Sequence, residues 1–314
     1  MQTGILLNGL PTAQSDRIAI LNEMNVKAVR DSILTPSVNP DSWKGSNRLN
    51  MWRDNGISLF LNINYQAQGK ENQFPTGSQI GGHCKISQLI ASKYPAIYYT
   101  PENEPLNTSL HAGTKEQYID MLKPFIEAIH TIGGKVCDGG TTTPILRALT
   151  YRYLETKDAA RASKFLNECI PTKDRNWLVN RTSKAHEGKL IDGLWYLYSI
   201  CELPIDAINF HLYFPLINRG STEPESPNGI AGFTDIIEFL QDTCPGKTLV
   251  SNETGLVIKD YAVSQSLLAG YENTGIQDLC LYSQSGTSGA YHNTDLSLTK
   301  NGNGLRDYLL ATSL

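Results

Sequence analysis

The run Ile57-Ser58-Leu59-Phe60-Leu61-Asn62-Ile63-Asn64 decides how the chain is read. Positions 57, 59, 61 and 63 are apolar, and Phe60 puts a large ring on the opposite side. A strand with one wet face alternates polar and apolar side chains. This one reads as buried on both faces, the condition of a strand inside a parallel sheet. The flanks agree. Residues 43–55 carry a helical pattern stopped by Gly56, and 86–94 carry another stopped by Pro95. Helix, strand and helix in that order make the repeating unit of an α/β protein.

Working outward, further short apolar runs lie at 4–9, 26–31, 96–100, 134–138, 206–211, 247–252 and 277–283. Helical patterns at 15–25, 114–132, 234–243, 262–272 and 304–311 fall in the gaps and after the last run. Eight such alternations predict a single (β/α)8 (TIM) barrel. An open doubly wound sheet is the alternative, but the chain has no G-x-G-x-x-G or Walker turn to cradle a phosphate. One connection is enlarged: about 65 residues separate the fifth run from the sixth, with helical stretches near 145–169 and 187–201. Segment 141–190 holds ten basic and five acidic residues. This β5–β6 connection could wall the cleft and attract an acidic sugar, or it could carry solvated surface charge; the second reading is preferred. No linker divides the chain, so residues 1–314 are expected to form one catalytic domain.

Apolar residues make up 40% and charged residues 18%, with a net charge of −4, as in a globular protein with a large core. That balance gives no reason to expect nucleic acid or an anionic membrane as partner. No run approaches the ~18 apolar residues of a membrane span. The N-terminal stretch lacks the basic and long apolar regions of an intact secretory signal, and a mature secreted or periplasmic domain is expected. The six cysteines form no CxxC or His/Cys cluster, so no zinc site is expected. Cys137 and Cys280 read as buried thiols, and Cys169–Cys201 is one candidate disulfide. Asn107, Asn180 and Asn252 head N-x-[ST] triplets.

Two carboxyl groups stand at ends of apolar runs. Glu104 follows the fourth run, in Tyr98-Tyr99-Thr100-Pro101-Glu102-Asn103-Glu104-Pro105, and Glu253 closes the seventh, in Thr248-Leu249-Val250-Ser251-Asn252-Glu253. In a barrel both would face one mouth, and a carboxyl pair there suits attack on a glycosidic bond. Here the chain resembles the superfamily of retaining (β/α)8 glycoside hydrolases of the clan A type. In that superfamily an Asn-Glu-Pro triplet closes strand four and a second Glu closes strand seven. Asn103-Glu104-Pro105 and Glu253 match those places, Arg30 falls near the end of the second run, and His211-Leu212-Tyr213 matches a frequent His-x-Tyr after the sixth. The resemblance spans residues 4 to about 285.

It implies Glu104 as acid/base and Glu253 as nucleophile, with no metal or other cofactor. Glu253 is expected ionised beside Arg30 and Tyr213, and Glu104 protonated at rest. Asn103 would hold a sugar hydroxyl, and His211 would tether the acid/base or line the site. The superfamily usually ends strand eight in Trp. This chain has Tyr282 and Gln284 there, and both are expected to bind sugar. Glu102 shares a face with Glu104 if the strand stays extended, which makes it a rival acid or a partner of Arg30. Asn62, Asn64 and Tyr65 close the third run and suit hydroxyls and sugar rings, as do Asp138, Tyr291 and His292 near other run ends. Trp43 and Trp52 read as helix packing, and Trp177 as the tryptophan facing a cleft. The expected function is hydrolysis of β-glycosidic bonds in an oligo- or polysaccharide, the expected partner. The alternatives are a catalytically weak glycan-binding barrel and a barrel enzyme of other chemistry.

Overall fold

The computed structural model describes residues 2–8, 14–67, 69, 71–216, 229–276 and 278–312. Seven parallel strands form one curled, TIM-barrel-like sheet: β1 (Gln2–Asn8), β2 (Ala28–Leu34), β3 (Ser58–Asn64), β4 (Tyr98–Pro101), β5 (Ala207–Phe214), β6 (Thr248–Leu256) and β7 (Asp278–Gln284). Their order is β4-β3-β2-β1-β7-β6-β5. The deciding run 57–64 becomes β3, with every residue after Ser58 buried, as a strand covered on both faces requires.

The run at 134–138 departs from expectation. It is not a continuous strand but makes isolated parallel bridges, Tyr99↔Val136 on one side and Cys137↔Ala207 and Thr141↔Phe210 on the other. The cause is local. The Asp138 carboxylate accepts the Asn209 backbone N–H at 2.6 Å and that of Gly140 at 2.9 Å, taking donors that a regular ladder would use. Gly140 follows at φ +93, a conformation that suits glycine.

Inside the sheet, Ala28, Phe60, Tyr98, Cys137, Ala207, Val250 and Cys280 make one small apolar cluster. Gly4 leaves room for Phe60: a Cβ there would lie 3.0 Å from its ring. The larger core lies between sheet and helices.

Helices α1 (Gln14–Glu23), α2 (Asn47–Asp54), α3 (Ser78–Lys93) and α4 (Lys115–His130) follow the first four strands. α4 begins in a capping box formed by Thr114 and Gln117. Between Thr141 and β5 come α5 (Thr143–Lys157), α6 (Ala159–Cys169), α7 (Thr172–Asn180) and α8 (Lys184–Cys201). Then α9 (Phe233–Thr243), α10 (Tyr261–Asn273) and α11 (Lys300–Thr312) complete the order. α8 packs on α4 and α5 packs on α9. Several basic residues of this region are paired: Arg147 with Asp174, Arg152 with Glu187, Lys157 with Asp242, and Arg161 with Asp235 and Glu238. No described helix is long and apolar enough to cross a membrane.

The disulfide joins Cys201 to Cys244, at the ends of α8 and α9, while Cys169 is a free buried thiol. The candidate pairing Cys169–Cys201 is thereby corrected. The crosslink spans 43 residues, a loop whose closure in the unfolded chain corresponds to about 4 kcal/mol. Replacing both cysteines by serine is expected to lower the melting temperature by about 6 °C. Calorimetry checks this, and a change of a degree or less would contradict it.

Candidate active site

Strand β4 ends at Pro101, and the chain does not stay extended. Glu102 and Glu104 both adopt positive φ, +62° and +47°, an uncommon choice for residues with a Cβ. The two glutamates therefore do not share a strand face. Glu104 lines a cleft. Glu102 is fully buried, its Oε1 accepting the Tyr65 backbone N–H. It is neither a rival in the cleft nor a partner of Arg30.

Burial pushes the Glu102 carboxyl up to about 8, against the pull of the Tyr65 N–H and of Asn72. A carboxyl whose folded pKa lies above its unfolded value stabilises the fold fully below the unfolded pKa, near 4.5. That contribution is lost as pH rises toward 8. Glu102→Gln keeps an acceptor for Tyr65 and removes the titration. Its melting temperature is expected to match wild type near pH 5 and to exceed it by several degrees at pH 8. A difference that stays constant across that range would refute the assignment of a buried neutral carboxyl.

Glu253 sits within β6, at a bulge. Between the pairs Asn209↔Val250 and His211↔Glu253, β6 advances one residue more than β5, and it gains the same extra residue against β7. The extra residue lets two consecutive side chains, Asn252 and Glu253, both reach inward, which a regular strand forbids.

Arg30, buried on β2, is the hub. It donates to Glu253 Oε2, to Asn103 Oδ1 and to Asn62 Oδ1, the last at 3.1 Å. Tyr213 donates its hydroxyl to Glu253 Oε1. Across the site, His211 Nδ1 lies 2.9 Å from Glu104 Oε1, and Asn107 Nδ2 donates to Glu104 Oε2 at 2.8 Å. His111 Nε2 donates to the Asn103 carbonyl at 2.6 Å and braces that turn from behind. One carboxylate oxygen each of Glu104 and Glu253 and one ring nitrogen of His211 lie within 4.8 Å of one another. The Arg30 guanidinium already supplies the positive charge beside Glu253, which makes this trio a poor cation site.

Burial alone would raise the Glu253 pKa, but the charges of His211 and Arg30 outweigh it and hold Glu253 below the usual range. Burial likewise opposes the imidazolium of His211, yet the charges of Glu253 and Glu104 raise its pKa. For Glu104, burial pushes up, while His211, Asn107 and Arg30 pull harder and hold it low, at about 2. Both directions draw the proton shared by the pair toward His211, whose imidazolium lies between two carboxylates, and away from the protonated Glu104 expected from the sequence.

The cleft has a volume of about 1170 Å³ and is lined by Arg30, Asn103, Glu104 and Glu253, with Asn64, Asn107 and Tyr282 among its walls. It exceeds the range that holds a drug-sized ligand, which leaves room for several sugar rings. Asn64 is 4% exposed and its Oδ1 has no partner, so it offers a ready acceptor. Tyr282 packs edge-on against Tyr213 at 5.9 Å and donates to Gln284 Oε1 at 2.7 Å. Gln284 and Tyr65 are not among the lining residues, and neither are His211 and Tyr213, which act on the glutamates from behind.

Other expectations change. Trp43 lies before α2, which starts at its Ser46 cap, and lines the cleft with Trp52. Trp177 instead stacks on His186 at 4.4 Å, outside the cleft. No described residue of 141–206 lines the cleft, so that segment does not wall it. Asp138, Tyr291 and His292 are buried away from it. Asn252 is fully buried and unsuited to carry a glycan in the folded chain. Sequence reasoning missed Asn107, Asn209, the framework role of Asn252, and Trp43. For Asn107 a signal existed: it stands three residues after Glu104, within reach across one turn.

No family model matches the chain, and no curated protein matches it. Solved structures share its fold. The protein ZgEngAGH5_4, in complex with cellotriose, is 13% identical, with 98% of this chain and 96% of that chain covered and a TM-score of 0.58. A triple mutant of an endo-beta-1,4-glucanase from Xanthomonas axonopodis pv. citri is 12% identical over 98% of each chain, with a TM-score of 0.59. A GH30 endoxylanase from Clostridium papyrosolvens is 11% identical, covering 98% of this chain and 71% of that one, with a TM-score of 0.51. At these identities the likeness establishes the fold. The neighbours are glycoside hydrolases of GH5 and GH30 type, the kind of protein the sequence resembles.

Proposed function

We propose that the chain is a retaining glycoside hydrolase that cleaves β-glycosidic bonds of an oligo- or polysaccharide. The observation that carries this reading is the pair Glu104 and Glu253, with carboxylate oxygens within 4.8 Å and with different partners. Retaining enzymes need carboxyl groups about 5–5.5 Å apart, whereas inverting ones leave about 6.5–9.5 Å for a water. The contrast in partners supports a division of labour. Arg30 and Tyr213 keep Glu253 ionised for attack, and His211 holds a proton against Glu104.

In this mechanism Glu253 attacks the anomeric carbon as the bond to the leaving oxygen breaks. Glu104 delivers to that oxygen the proton it shares with His211. The second step reverses the roles: Glu104 takes a proton from water, whose oxygen displaces Glu253. Arg30 occupies Asn103 Oδ1, which leaves the Asn103 Nδ2 to donate to the sugar 2-hydroxyl. Asn64, Asn107, Trp43 and Tyr282 would bind further along the chain of sugars, with Tyr282 taking the platform role usual for Trp in the superfamily.

The same reading takes the fold as a closed (β/α)8 barrel in one domain. Segment 135–141 would be its fifth stave, because it bridges both β4 and β5, and α5–α8 its enlarged connection. The Cys201–Cys244 disulfide suits an oxidising compartment, in keeping with a secreted or periplasmic protein.

The test is proton NMR of the anomeric signals during hydrolysis of β-1,4-gluco-, β-1,4-xylo- and β-1,3-gluco-oligosaccharides. The β-anomer is expected first, and initial release of the α-anomer would overturn the retaining mechanism. The active form needs Glu253 ionised and the Glu104–His211 pair protonated. The acid limb of kcat/KM is therefore expected below 4.5, and the alkaline limb above 6.5.

A further inference from the structure

We infer that Asn209 and Asn252 lock His211 in the tautomer with its hydrogen on Nε2, so that one mobile proton is confined between His211 Nδ1 and Glu104 Oε1. The consequence for catalysis rests on the glycosidase reading; the lock itself does not.

The donors and acceptors around His211 admit one assignment. The Asn252 backbone N–H donates to Asn209 Oδ1 at 3.0 Å, and Asn209 Nδ2 donates to the Asp138 carbonyl at 3.1 Å. A backbone N–H can only donate and a carbonyl can only accept, so the Asn209 amide has one orientation. Its second Nδ2 hydrogen goes to Asn252 Oδ1, 2.9 Å away. That orients Asn252 in turn, and its Nδ2 donates to Thr100 Oγ1 at 3.1 Å. The Asn252 Oδ1 then lies 2.8 Å from His211 Nε2, and an amide oxygen there requires a hydrogen on Nε2. Both Nδ2 hydrogens of Asn209 are committed, so its 3.3 Å approach to His211 Nε2 is no hydrogen bond. Asn209, Asn252, Thr100 and His211 are all buried, and Glu104 is partly so. Gly140 closes the pocket: a Cβ there would lie 2.5 Å from His211 Nε2.

With Nε2 hydrogenated, Nδ1 and Glu104 Oε1 face each other at 2.9 Å, and exactly one proton fits between them. The other Glu104 oxygen cannot hold it facing Asn107. Asn107 Oδ1 accepts the Ser109 N–H at 3.0 Å, so Nδ2 is the atom donating to Glu104 Oε2. The charged groups around the ring are Glu104 after β4, Glu253 on β6, Arg30 on β2, and Asp138 in the bridging segment.

The lock matters most after the first step. Once the proton has left with the aglycone, the Nδ1 lone pair and the Glu104 carboxylate face each other without it. That repulsion makes Glu104 a stronger base toward the incoming water. A ring free to change tautomer would turn a hydrogen toward Glu104 and quench the base. Asn209 and Asn252 are thus positioning residues acting through His211.

Nitrogen-15 NMR of the full chain labelled at histidine tests the lock without any substrate, with His211 identified by comparison with His211→Gln. Nε2 is expected to keep its hydrogen throughout the titration while Nδ1 loses its own. A neutral His211 with hydrogen on Nδ1 would overturn the inference, whatever the activity. Two variants test the catalytic consequence. Asn209→Leu removes the orienting donor, and the alkaline limb of kcat/KM is expected to fall by roughly one pH unit. Its kcat falls roughly tenfold, while kcat/KM on dinitrophenyl glycosides, which leave without protonation, is spared. Asn252→Asp keeps an acceptor at Nε2 and adds charge, so the limb moves up. Shifts in one direction for both variants, or equal losses on all substrates, would mean a merely structural role. If neither variant folds, the wild-type NMR decides. A locked ring in a protein that cleaves no glycoside would sustain the lock and refute the functional reading.

Discussion

Replacing Glu253 by alanine is expected to lower kcat/KM on the order of 10⁵-fold, as loss of an attacking group does where the rest of a site survives. The structure adds a more discriminating outcome. Removing the carboxylate leaves Arg30 buried with its guanidinium facing a space the size of an anion, and with the Tyr213 hydroxyl pointing into it. Azide can enter there, balance the charge and attack the anomeric carbon from the same face. From a β-glycoside with a good leaving group, that single displacement gives the α-glycosyl azide. Rescue with the β-azide as product would mean that Glu253 stands on the other face. The unpaired Arg30 also costs stability, because a lone buried charge has lost its partner. Glu253→Gln, which retains an acceptor for Arg30, is the control that separates lost chemistry from lost fold.

Glu104→Ala has the second largest expected effect, and it depends on the leaving group. Substrates that need protonation lose about 10²- to 10⁴-fold in kcat/KM, the usual contribution of a positioned general acid. Dinitrophenyl glycosides lose little in the first step but accumulate the glycosyl-enzyme, since no base activates water. Azide then attacks the covalent intermediate and yields the β-glycosyl azide, two inversions from the start. The pH profile should change with it: with no acid left to lose its proton the alkaline limb disappears, and His211, which loses one of the two carboxylates that raise its pKa, titrates lower. Equal losses on good and poor leaving groups would contradict the acid/base role.

What could be read from the sequence follows physical lines. Burial on both faces leaves a mark in composition, so β3 and its neighbours were legible, and with them the α/β class. The stretch 134–138 looked the same and folded differently, because the Asp138 side chain takes the place of ladder partners and no hydrophobic pattern records that. Arg30, Asn103, Glu104, His211, Tyr213 and Glu253 were legible from motif and order, and they meet at one end of the sheet. Asn209 and Asn252 were not. Their contact depends on the β6 bulge, a one-residue slip that leaves no trace in residue type. Trp43 packs as expected, edge-on to Tyr94 at 5.9 Å, but it also lines the cleft, which residue type does not record, and Trp177 turns to His186 instead. The pull of His211 on the Glu104 proton was hidden for a related reason: it depends on which groups face Glu104 across the cleft, and His211 lies 107 residues away in sequence.

The central claim is that Glu253 forms a covalent bond to the sugar. Intact-protein mass spectrometry after incubation with 2-deoxy-2-fluoro-glycosyl fluorides of several sugars tests it most directly, because the fluorine slows the second step and lets the glycosyl-enzyme accumulate. An adduct of one sugar mass is expected, mapped by peptide sequencing to Glu253 and naming the sugar bound there. An adduct on Glu104, Glu102 or any other residue would contradict it.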